Sequence, residues 1–271
     1  MIEQSKPINL AVSYINEIMD TDFIFCFGSR FENTLTGSIF NEDMEENEKS
    51  MHFDLLVITP DDDTYKPDFT GNLETFSDML YTVTTLVRTR TQVQKELIAN
   101  NRFFHKVISK AELVYSKNGE KAPGFSGSFY ASADYQKTVD YWKRCCIDMD
   151  EYLALASNSK QAHIAVPLLN KCMKAGCRGL LFVMLGYAAE ECTLNQLLNL
   201  CDLVDVRFQN IIPLLTSNDQ YDYEVLMNGS WQGNYGEDRE PMIPYLYKYC
   251  DDFTKLTKLL CEFRLESMKT E

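Results

Sequence analysis

The 271 residues carry 26 Lys and Arg against 40 Asp and Glu, a formal net charge of −14. That balance excludes a broad DNA-binding or RNA-binding face, because phosphate backbones need clustered cations to displace their counterions. With 45% hydrophobic and 24% charged residues the chain is a folded globule, long enough for two domains, and its longest apolar stretch, Gly179 to Ala189, is too short to cross a membrane.

In chain order, Ile8 to Met19 places Ile8, Leu10, Ala11, Tyr14, Ile15 and Ile18 near one face of a helix. Phe23 to Phe27 (FIFCF) is a short apolar run that reads as a buried strand entering a tight turn at Gly28-Ser29. Phe53 to Thr59 (FDLLVIT) is a second strand, stopped by Pro60 and three aspartates. Asn72 to Tyr81 has a helical pattern, and the β-branched Val83 to Thr89 is a third strand. Thr91 to Ala99 is a polar helix and Glu112 to Ser116 an edge strand. Together these predict an α/β domain with a mixed sheet over residues 1–118.

Lys117 to Ser128 (KNGEKAPGFSGS) is rich in Gly, Pro, Ser and Lys, which places a linker at 119–133. Beyond it the pattern turns helical, so residues 134–271 are expected to form an all-α bundle. Asp134 to Ala156 and Gln161 to Tyr187 predict long helices, the second with Pro167 as a kink or in its first turn. Thr193 is an N-cap for the helix TLNQLLNLC, and Asp205 to Leu215 and Pro244 to Leu265 complete the set. Asn228 to Pro241 is the longest irregular stretch, where Trp231 and Tyr235 either stack on a base or pin the loop.

Nine cysteines occur without a CxxC pair, and only three histidines are available to complete a zinc site. Free buried thiols in a reducing cytoplasm are therefore expected, and the opening MIEQSKPINL lacks the pattern of a secretory leader.

The feature that bears on chemistry is Gly28-Ser29-Arg30 after a buried strand, with Asp54 on the next. A Gly-Ser turn lets backbone and hydroxyl approach a nucleotide's phosphates, and a carboxylate on the neighbouring strand can hold Mg²⁺ against them. Residues Phe23 to Thr59 resemble the minimal nucleotidyltransferase domain of the polymerase-β-like superfamily, whose signature is Gly-Ser followed by Asp-x-Asp on the next strand. The resemblance implies nucleotide binding at Gly28, Ser29 and Arg30, with a nucleoside triphosphate and Mg²⁺ as cofactors and Asp54 as a catalytic, metal-binding carboxylate. His52 stands where the first carboxylate belongs, and Val83 to Thr89 lacks the third. One carboxylate and an imidazole suit hard Mg²⁺ poorly. The acidic segment Asn41 to Lys49 could supply a missing ligand, although a block of like charges is ordinarily solvated.

Residues Asp134 to Phe263 resemble the HEPN domain, a helical bundle often joined to minimal nucleotidyltransferases. The likeness lies in the order of elements, in the His163-bearing helix with Gly186-Tyr187 after it, and in TLNQLLNLC. HEPN ribonucleases carry an Arg-x4–6-His motif, and neither Arg178 nor Arg207 is followed by such a histidine. The resemblances together imply a two-domain protein with degenerate catalytic motifs. They imply a nucleotide- or RNA-related role of toxin–antitoxin or defence type and a homodimer through the helical domain. Two alternatives stay open: an active Mg-dependent nucleotidyltransferase acting on a protein or small acceptor, and a ribonuclease whose Arg and His meet from different helices. Phosphate or RNA contacts would come from Arg88, Arg90, Arg102, His105 and Lys106, the one basic patch of the first half, and from His163, Arg178 and Arg207. Ten of the forty acids fall between Glu32 and Asp63, so a nucleic acid is expected to avoid the rim of the Gly28 turn.

Overall fold

The computed structural model describes residues 5–34, 48–61, 70–73, 79–119, 134–159, 161–190, 192–205, 207–208, 217–231 and 242–270. They belong to two compact units, Met1–Ala131 and Ser132–Glu271. No helix among the described residues is long and apolar enough to cross a membrane.

The first unit is built on a mixed five-stranded sheet in the order β3-β4-β2-β1-β5. Its elements are α1 (Ser5–Ile18), β1 (Phe23–Thr34), β2 (Glu48–Thr59), β3 (Thr70–Leu73), β4 (Met79–Thr89), α2 (Arg90–Ile98), α3 (Arg102–Lys110) and β5 (Glu112–Ser116). β2 is antiparallel to β1 and parallel to β4, while β3 and β5 form the two edges antiparallel to their neighbours. Alternation along the strands divides the apolar residues between two faces. Ala11, Val12 and Ile15 of α1, with Met19 just after it, close one face, packing with Ile24, Met51, Phe53, Leu55, Val57, Val83 and Val87. Phe23, Phe25, Leu56, Ile58 and Leu86 point the other way and are buried with little or no exposure. At that side the Arg90 guanidinium, at the start of α2, lies over the Phe23 ring at 5.1 Å. A capping box between Thr89 and Gln92 starts α2, giving the chain a sharp exit from β4.

Two expectations are corrected here. Gly28-Ser29 is not a turn: β1 runs through it to Thr34, with an irregularity that sets Cys26 opposite Leu55 and Gly28 opposite Asp54. Phe27 is thus the extra residue of a β-bulge, and the strand persists because β2 continues to pair with it. Asn72 to Tyr81 is not a helix either. Asn72 and Leu73 belong to β3, and Met79 to Tyr81 open β4. Leu73, Phe76 and Leu80 have helical spacing in the sequence, but pairing of Thr70–Leu73 with Tyr81–Thr84 overrides that local preference.

The second unit is helical: α4 (Tyr135–Asn158), α5 (Ala162–Leu185), α6 (Leu194–Asp202), α7 (Ser217–Asn228) and α8 (Ile243–Met268). α5 is the central helix, with α4, α6, α7 and α8 all packed against it. Its buried residues occupy most of the circumference, and one stripe through Lys171, Lys174 and Arg178 is left less covered. α4 and α8 approach closely because α5 carries glycines at the contacts. A Cβ at Gly179 would stand 2.7 Å from the Trp142 ring, and one at Gly176 2.7 Å from the Phe253 ring. Pro167 is accommodated inside α5, in its second turn, and Gly186 ends the helix in the left-handed conformation. Thr193 caps α6 with Gln196 as its capping-box partner, as its position predicted. Of the expected helix over Asp205 to Leu215, only 205, 207 and 208 lie within the described residues. Trp231 donates its Nε1–H to the Tyr221 hydroxyl at 3.0 Å, which ties it to α7, whereas Tyr235 lies outside the described residues.

Candidate functional site

Strand pairing brings the residues of the Gly28 region together. Gly28 faces Asp54 across β1 and β2, and Arg30 faces His52. On the other side of β2, Asp54 pairs with Thr84 and His52 with Thr82. The period of two puts His52 and Asp54 on the same side of the sheet, the side opposite α1. Their side chains meet. His52 Nε2 lies 3.3 Å from Asp54 Oδ1, and His52 Nδ1 lies 2.6 Å from Thr82 Oγ1. A carboxylate oxygen accepts, so Nε2–H is the donor to Asp54, while Nδ1 and the Thr82 hydroxyl share the hydrogen bond on the other side of the ring. Asp54 has 0% exposure and His52 is buried, so this relay sits inside the sheet.

The chemistry that follows is limited. Mg²⁺ asks for an octahedron of oxygens, and Asp54 already gives Oδ1 to His52. No group of three or more His, Cys, Asp or Glu side chains suited to one metal ion occurs among the described residues. The described residues therefore do not fit Mg²⁺ at this position. Of the acidic segment, 41–47 lies outside the described residues, and Glu48 and Lys49 belong to β2. Asp62 and Asp63 also lie outside, while Asp61 accepts the Thr91 amide at 2.7 Å, and that bond lowers its pKa. Ser29 is exposed, and Cys26, beside it, gives its thiol proton to the Gly28 carbonyl at 3.3 Å. Burial pushes the Cys26 thiol up to about 11, so it is not a nucleophile at neutral pH.

The basic residues of the first unit lie on three elements, Arg88 on β4, Arg90 on α2 and the others on α3. Arg90 is ion-paired to Asp22 through Nε. Arg88 Nη1 donates to the Val87 carbonyl at 2.6 Å. His105 is buried and its Nε2–H donates to the Leu97 carbonyl at 2.9 Å, which fastens α3 to α2. Arg102 opens α3 half-buried, and Lys106 is exposed one turn later.

In the helical unit, His163 is exposed near the start of α5 and Arg178 lies 15 residues further along it. At 1.5 Å per residue the two are about 22 Å apart and share no site. Arg207 is paired with Asp205 at 2.8 Å. Arg178 instead joins Arg144, Lys171 and Lys174 in a cleft between α4 and α5. Sequence reasoning singled out Arg178 alone. The signal for Lys171 and Lys174 was the basic spacing 171, 174, 178, a helical i, i+3, i+7 stripe, whereas Arg144 comes from another helix.

No family model matches the chain, and no curated protein matches it significantly. Among solved structures it is similar to a nucleotidyltransferase-like protein from Exiguobacterium sibiricum 255-15, at 12% identity over 99% of this chain and 80% of that one. The TM-score of that match is 0.31, too low to carry an argument about either unit.

Proposed function

We propose that this chain is a nucleotide-binding protein of nucleotidyltransferase-like build that does not transfer the nucleotide. What supports it is the His52–Asp54–Thr82 relay: the two β2 positions where the signature wants metal carboxylates are joined to each other and to β4 inside the sheet. Gly28, without a side chain, and the exposed Ser29 leave the adjoining stretch of β1 open to a phosphate. The helical unit is HEPN-like in this reading, and the whole is a sensing partner of toxin–antitoxin or defence type. A second copy would join through the helical unit, where Leu259 (59% exposed) and Phe263 (74%) lie one turn apart on α8.

Labelled ATP and GTP with Mg²⁺ or Mn²⁺ test the central claim. The expected outcome is no incorporation into the protein or added acceptors, together with a thermal shift by nucleotide that Ser29→Glu reduces. Transfer that Asp54→Asn abolishes would overturn it.

A further inference from the structure

The cleft between α4 and α5 measures about 370 Å³, within the range of small-ligand sites. α5 contributes Lys171, Lys174 and Arg178, one face at i, i+3 and i+7, and α4 contributes Arg144 with a single carboxylate, Asp148. Four cations and one anion thus meet in one small hollow of a chain whose net charge is −14. Among the described residues, several cations elsewhere are ion-paired: Lys117 with Asp20, Arg207 with Asp205, Lys248 with Asp252, Lys255 with Asp251 and Lys258 with Asp150. No carboxylate among the described residues is within ion-pair distance of Arg144, Lys171, Lys174 or Arg178.

Their surroundings hold the charges in place, with the carboxylates of Asp148 and Glu190 nearby but outside ion-pair distance. The Arg144 guanidinium lies 5.5 Å from the Tyr141 ring centre, and the Lys171 ammonium 5.9 Å from that of Tyr152. Arg178 donates through Nη2 to the Glu190 carbonyl at 2.7 Å, while its Nε–H is buried with no hydrogen-bond acceptor. Lys174 is partly buried, and desolvation and then the Arg178 charge lower its pKa. Like charges crowded in a partly dry cleft repel one another, and a bound anion relieves that repulsion. From Lys171 to Arg178 the stripe runs about 10 Å along the helix, longer than one phosphate can bridge.

We propose that this cleft is a binding site for a small ligand bearing a chain of linked phosphates, held by Arg144, Lys171, Lys174 and Arg178. It is separate from the sheet-unit reading above and stands without it. The ligand is either a nucleoside polyphosphate or a free oligophosphate.

Isothermal titration with inorganic tripolyphosphate, ATP, single phosphate and a short single-stranded RNA tests it, on the full chain. On the full chain carrying Ser29→Glu, which removes the sheet unit's contribution, tripolyphosphate and ATP are expected to bind one per chain and single phosphate roughly tenfold or more weaker. Equal affinity for ATP and tripolyphosphate identifies the phosphate chain as the whole determinant, and tighter ATP adds the nucleoside. Lys171→Gln/Lys174→Gln weakens binding by roughly tenfold or more, while Lys248→Gln/Lys255→Gln, with the same charge change on α8, leaves it intact. Binding only of RNA, equal loss in both double variants, or no binding of tripolyphosphate overturns the proposal. Circular dichroism shows whether each variant is folded; Arg144→Gln replaces the first double variant if that one is not. A failure confined to Ser29→Glu concerns the sheet unit and leaves this site standing.

Discussion

At the scale of single residues, His52 and Asp54 act on stability. Asp54 is buried at the centre of the sheet, and removing its carboxylate leaves the His52 Nε2–H without that acceptor. Asp54→Ala is expected to cost about 1–3 kcal/mol in urea unfolding, as for a buried donor that loses its partner. Asp54→Asn, which keeps a carbonyl oxygen beside the ring, should cost less. Equal midpoints for wild type and Asp54→Ala would remove the structural role. The sequence disclosed an imidazole and a carboxylate two residues apart, because identity and spacing alone show it. It could not disclose that the imidazole bridges to Thr82, since that contact spans 30 residues and depends on β2 lying parallel to β4.

At the scale of elements, helix ends and glycine contacts set the geometry. Thr193 was legible as an N-cap because capping is local chemistry, and the structure adds Gln196 as its capping-box partner. The edge position of β5 was legible from its short, bounded run. The course of β1 beyond Phe27 was not, because Gly-Ser carries a strong turn propensity and its strand partner lies across a long excursion. Nor did the sequence show that α4 rests on the backbone of α5. Gly179→Leu forces a side chain into the space of the Trp142 ring, so it is expected to destabilise by about 1–3 kcal/mol. Thermal unfolding checks this, with Trp142→Leu in the same background expected to recover part of the loss. Because Gly179 lies beside Arg178, the same variant should also reduce tripolyphosphate affinity.

At the scale of the whole chain, the thiols give stability a pH dependence. All nine cysteines are free and seven are buried. Burial raises Cys172 from its ordinary value near 9 to about 11 and Cys145 to about 12. Above pH 9 the unfolded chain releases thiol protons that the native state retains, so stability falls as pH rises. In that window each such thiol contributes about 1.4 kcal/mol per pH unit. Urea midpoints are expected to hold level up to about pH 8 and to fall from about pH 9 upward, less steeply in Cys145→Ala; an unchanged slope in that variant would exclude Cys145 as a source.

The bulge in β1 separates two tasks within one strand. Cys26 and Gly28 each have a partner on β2, and the residue between them is surplus to the ladder. That residue, Phe27, sets its ring edge-on to Phe103 of α3 at 5.4 Å. Excising it would leave every β1–β2 partnership as it stands and mend the ladder. The loss would fall on the attachment of α3 to the sheet. One residue can therefore be removed from the middle of this strand without disturbing the order of its neighbours, and the grip of a helix depends on keeping it.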